Sequence, residues 1–121
     1  MLVHTPVSWG ELLDKITILE IKSERIADKG KLANISRELT ELRRTVAEAA
    51  PGMPDSVKAV VAELKATNEK LWDIEEDIRN CERQKDFGPT FVELARGVYF
   101  TNDHRCKLKR DLNDALGSAL I

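Results

Sequence analysis

The chain has 121 residues, 42% of them apolar, which suits a single domain that closes one core without disulfide staples. Its 19 basic and 21 acidic side chains leave a formal net charge of -2, so it lacks the basic excess with which a general nucleic-acid binder displaces counterions. Apolar stretches such as Ala59 to Ala62 are far too short to span a bilayer and no signal-peptide pattern precedes Pro6, so the expectation is a cytoplasmic protein without membrane insertion.

After a short arm, Leu2 to Val7, Ser8 and Glu11 have the spacing of a capping box, and Val7 with Leu12 can form a hydrophobic staple. A first helix is therefore expected over 9–28. Its seam runs Trp9, Leu12, Ile16, Leu19, Ser23, Ile26, and Leu13, Ile18 and Ile21 widen the apolar arc enough to touch more than one neighbour. Asp28-Lys29-Gly30 reads as the break, with Gly30 free to take the left-handed conformation at a helix end.

A second helix is expected over 31–50, with seam Leu32, Ile35, Leu39, Leu42, Val46, Ala49, stopping at Pro51-Gly52-Met53-Pro54. A third, over 56–83 from an Asp55 cap, keeps three-four spacing through Val57, Val60, Leu64, Thr67, Leu71, Ile74, Ile78 and Cys81. Pro89 suits the first position of a fourth helix running to residue 117. Short connections make consecutive helices antiparallel neighbours. The expected fold is all-α: an elongated antiparallel bundle of about four long helices with coiled-coil-like packing, in which the Leu, Ile and Val positions are ordinary core.

The fourth helix breaks the pattern. Its seam can be drawn through Phe91, Ala95, Val98, Asn102, Arg105, Lys109, Leu112 and Leu116, or through Leu94, Val98, Thr101, Arg105, Leu108, Leu112 and Ala115, and Arg105 falls on both. A guanidinium on a core-facing stripe must meet a carboxylate, bind an anion or reach water. Pairing helices three and four about residues 86–87 sets Arg105 near Asn68 and Asn102 near Leu71 and Trp72, with Glu75 a turn further on. Glu20 is a second candidate counter-charge, and the Trp72 ring could stack on a cation or a ring ligand. The candidate constellation is Glu20, Asn68, Trp72, Glu75, Asn102 and Arg105. It reads first as a buried salt-bridge network that fixes helix register or subunit pairing, and second as a ligand pocket.

Other features carry less. Asp73, Glu75, Glu76 and Asp77 spread around a helix with no E-x-x-H pair, so no metal site is indicated. The basic tract His104, Arg105, Lys107, Lys109, Arg110 is flanked by Asp103, Asp111 and Asp114, and basic side chains suit the later half of a helix. Cys81 and Cys106 lack C-x-x-C spacing and fall far apart along paired helices, while His4 and His104 form no paired ligand motif. No cofactor is implied.

Three phrases carry a resemblance: Val7 to Lys22 (V-S-W-G-E-L-L-D-K-I-T-I-L-E-I-K), Asn68 to Arg79 (N-E-K-L-W-D-I-E-E-D-I-R), and Thr101 to Arg105 continuing to Leu108-Lys109. The chain resembles, over nearly its whole length, a bacterial and phage family known only as a domain of unknown function. The resemblance implies at most a place beside sugar-transfer and surface-polysaccharide enzymes and supplies no activity. It also implies a few charged residues after Ile121, and a residue smaller than Trp9 between the serine and the glycine, which makes Trp9 a poor choice for a shared functional residue.

Three functions follow in order of expectation: a non-enzymatic interaction or oligomerisation module, homo-oligomeric or with a protein partner; a small-anion or sugar-phosphate binding protein with a site around Arg105, Asn102 and Trp72; and an enzyme. Chorismate mutase also packs long helices around basic residues, and Lys15, Lys31 and Arg43 stand at similar intervals, but its arginine pair and downstream lysine-acid pattern are missing. No Ser-His-acid or Cys-His arrangement and no glycine-rich phosphate loop is present.

Overall fold

A computed structural model describes residues 1–121 as four helices and no strand: α1 Trp9–Arg25, α2 Lys29–Ala49, α3 Asp55–Arg83 and α4 Pro89–Ala115. The chain is an all-α bundle of long helices, and none of them is long and apolar enough to cross a membrane.

Helix α1 organises the molecule. It packs against α2, α3 and α4, as its wide apolar arc requires, whereas α3 and α4 pair with each other and α2 approaches only α1. The expectation that consecutive helices are neighbours therefore holds for α1–α2 and α3–α4 but not for α2–α3: α1 lies between α2 and the α3–α4 hairpin. The shared core gathers Leu13, Ile16 and Leu19 of α1, Ile35 and Leu39 of α2, Val57 and Leu64 of α3, and Leu108 and Leu112 of α4.

The helix ends show which local signals won. α1 stops at Arg25, three residues short of expectation, because Ile26 is extended and the Asp28 side chain caps α2 by accepting from the backbone N–H groups of Gly30 and Lys31. Gly30 thus sits in the first turn of α2 and is not a helix terminator. Asp55 is the first residue of α3, after Pro54 in the cap position, so it does not cap the helix. Both helices of the hairpin end in Schellman turns. Lys85 takes the left-handed φ of 55° while the Asp86 N–H reaches the Cys81 carbonyl at 2.9 Å. Gly117 does so at 61° while the Ser118 N–H reaches the Asn113 carbonyl at 2.8 Å, which ends α4 two residues early. Pro89 opens α4 as expected.

The start of α1 is buried against the end of α4. Its first three N–H groups find partners: Trp9 donates to Ser118 Oγ at 3.1 Å, Gly10 to Asn113 Oδ1 at 2.6 Å, and Glu11 to Ser8 Oγ at 3.2 Å. Only the serine half of the capping box forms, since the Glu11 carboxylate is taken by Lys109. A Cβ at Gly10 would lie 2.5 Å from the Lys109 carbonyl oxygen, so glycine is what lets the two backbones meet.

Candidate functional site

Residues Gly10, Asp14, Thr17 and Ile21 form a second three-four stripe on α1, and all four are buried. They are small, polar or β-branched, and they face the hairpin at the level where the Arg105 side chain crosses from α4. Arg105 Nε donates to Asp14 Oδ1 at 2.9 Å and its Nη2 to Asp14 Oδ2 at 2.5 Å, a bidentate fork. Nη1 donates to Asn102 Oδ1 at 3.1 Å, one turn back on α4.

Asn68 brings α3 into the same cluster. Its amide donates one proton to Asp14 Oδ1 and the other to Thr17 Oγ1, each at 2.9 Å, and the Thr17 hydroxyl donates to the Asp14 carbonyl at 2.7 Å. Three helices are thereby joined through one carboxylate whose side chain is 4% exposed. No buried side-chain polar atom in the protein lacks a partner. The hydrogen bonds that Arg105 donates to Asp14 hold its pKa above the usual value against the opposing pull of burial, so the guanidinium stays charged.

The sequence-level constellation is thus brought together in part. Arg105, Asn68 and Asn102 meet as expected, but the counter-charge is Asp14, not Glu75 or Glu20. Glu20 belongs elsewhere: it accepts from Arg43 on α2 at 2.8 Å. A shift of the Glu20 carboxylate to Arg105 is barred because Leu19 and Ile21 flank it in the core while Glu20 itself points to α2. Asp14 is hard to see in the sequence because it follows two leucines and looks like an interruption of the apolar seam. The signal that finds it is the three-four spacing of Gly10, Asp14, Thr17 and Ile21, a stripe without a leucine.

Trp72 and Glu75 stand beside the cluster, not in it. They line a cleft of about 490 Å³ between the later half of α1 and the hairpin, which Asn68 and Arg105 close at one end and Lys22 and Arg79 flank. Arg25, paired with Asp73 at 2.5 Å, lies over the Trp72 ring at 5.8 Å from its centroid. Cys81 is buried and Cys106 exposed, both as free thiols, and His104 meets Glu63 at 3.1 Å on the outer face of the hairpin.

Chemically, the Asp14–Arg105 cluster is a set of mutually paired groups that leaves two of the five Arg105 N–H groups without a protein acceptor, and none of its members is a nucleophile poised beside a base. Its physical effect is to fix α1 on the hairpin in one register, since sliding α1 by a turn would strand a charge in the core. No protein-family model matches the chain, and no curated protein or solved structure matches it either.

Proposed function

We propose that this chain is a non-enzymatic helical interaction module whose first partner is a second copy of itself, docked along the part of the α3–α4 hairpin that α1 leaves uncovered. The observation that carries this reading is the contrast between pattern and burial. The three-four seam continues beyond Asp73 through Ile74, Ile78 and Cys81 and returns through Phe91, Leu94 and Val98, yet between Glu69 and Phe100 only Cys81 is buried. Phe87, Val92, Tyr99 and Phe100 are about half exposed around it. A two-helix hairpin cannot bury both faces of its own seam, and an identical hairpin across a two-fold axis would complete a four-helix bundle from one self-complementary patch. The mixed charges of that segment, Arg79 with Glu76 and Arg96 with Glu93, suit such self-pairing.

Sedimentation equilibrium or light scattering at tens of micromolar tests it: a dimer is expected for the unaltered chain and a monomer for Val92→Glu combined with Tyr99→Glu, two exposed positions where charge leaves the fold intact. A compact monomer for the unaltered chain would overturn the reading. On the resemblance alone, the module is proposed as an accessory to sugar-transfer or surface-polysaccharide enzymes; co-purification of such an enzyme with the tagged chain, lost in the double variant, is the corresponding measurement.

A further inference from the structure

The cleft beside Trp72 has an unusual charge economy. Every other basic residue of α1 is engaged: Lys15 with Glu38 and Arg25 with Asp73. Lys22 alone among them has no carboxylate within ion-pair distance, and it lines the cleft. Arg105 presents five N–H groups. Three are taken by Asp14 and Asn102, two have no protein acceptor, and Arg105 lines the same cleft. Arg79 also lines it, but its charge is met by Glu76 at 2.6 Å. Against these stands one unpaired carboxylate, Glu75, and one large apolar ring, Trp72. At about 490 Å³ the space fits a small molecule and not a polymer.

We propose that this cleft binds a small phosphate monoester bearing a ring, with the phosphate taken by Lys22 and the free N–H groups of Arg105, and the ring against Trp72. Phosphate is favoured because its three oxygens can take an ammonium and a guanidinium edge at once. The rigid Asp14 anchor keeps the Arg105 fork in place before any ligand arrives, so little ordering is needed on binding. Glu75 sets an opposing charge and limits affinity. This inference does not rest on self-association of the hairpin.

Phenyl phosphate is the probe, with phenol and inorganic phosphate as controls. Because the chain has two tryptophans, emission is followed in Trp9→Phe, where Trp72 is the only indole, and the Trp72 indole N–H in a 1H–15N spectrum of the unaltered chain gives the same readout should that variant be destabilised. Phenyl phosphate is expected to shift the Trp72 signal saturably, phenol not at all, and inorganic phosphate more weakly. Lys22→Met should weaken binding about tenfold, the loss expected of one charge-assisted hydrogen bond, and Glu75→Gln should strengthen it, both without moving the melting temperature. No saturable shift with phenyl phosphate, or a shift that neither substitution alters, overturns the proposal. Repeating the titration in Val92→Glu with Tyr99→Glu separates the outcome from that of the dimer.

Discussion

The two halves of the α3–α4 hairpin are built from the same seam and end in different states. In the half that α1 covers, Leu64 and Leu112 are fully buried and Thr67, Asn68, Thr101, Leu108 and Asn113 are nearly so. In the half beyond Asp73 the same spacing leaves Ile74, Ile78, Phe91 and Leu94 only partly buried, with Phe87 and Phe100 exposed. Periodicity therefore specifies which side of a helix is apolar, and a third helix decides whether that side becomes core. The covered half also carries every buried polar group of the hairpin, which is where water has been excluded and register matters.

Several substitutions sharpen that contrast, and the largest effect belongs to the covered half. Arg105→Ala strands the Asp14 carboxylate in the core and should cost about 3–5 kcal/mol, whereas Arg105→Met combined with Asp14→Asn should recover most of that loss. Chemical denaturation of the single and double variants measures both, and a small loss for Arg105→Ala would show that the network does not hold α1 in place.

Leu112→Ala, at a position with no exposed surface, should cost about 2–5 kcal/mol in the same assay. Gly10→Ala comes next, at about 1–3 kcal/mol, because its methyl must push the Lys109 backbone away. Asn113→Ala, which leaves the Gly10 N–H without its acceptor, should cost about 1–3 kcal/mol, and amide exchange in the first turn of α1 should quicken with it. At the other end of the scale, Val92→Ser in the uncovered half should change the stability of the monomer by no more than about 0.5 kcal/mol. If Val92→Ser destabilised the monomer as much as Leu112→Ala, the division of the hairpin into covered and uncovered halves would fail.

Much of the fold is legible in the sequence because its signals are local. Ser8 starts α1, Pro51 to Pro54 ends α2, Pro89 opens α4, and three-four spacing marks the apolar side of each helix. Where two local signals compete, reading them in isolation fails: Gly30 could end a helix, but the Asp28 carboxylate two residues earlier starts one, and the cap satisfies two backbone donors where a left-handed glycine would satisfy none of them. The candidate site is legible by half. Arg105 is conspicuous because it interrupts two apolar seams, and the hairpin register brings Asn68 and Asn102 to it. Its partner Asp14 is harder to find because the stripe of Gly10, Asp14, Thr17 and Ile21 marks a second packed face of α1 without saying which neighbour that face meets.

The sequence by itself determines four helices, their apolar faces and the inward placement of Arg105, since each depends on spacing within one segment and on the cost of leaving apolar surface in water. Only the tertiary structure decides that α1 separates α2 from the hairpin, that Asp14 rather than Glu20 or Glu75 neutralises Arg105, and that the seam of the hairpin is covered along half its length. Those outcomes turn on which helix approaches which, and at what height. Such approach is set by close contacts as small as the missing Cβ of Gly10 against the Lys109 carbonyl, between residues far apart in the chain.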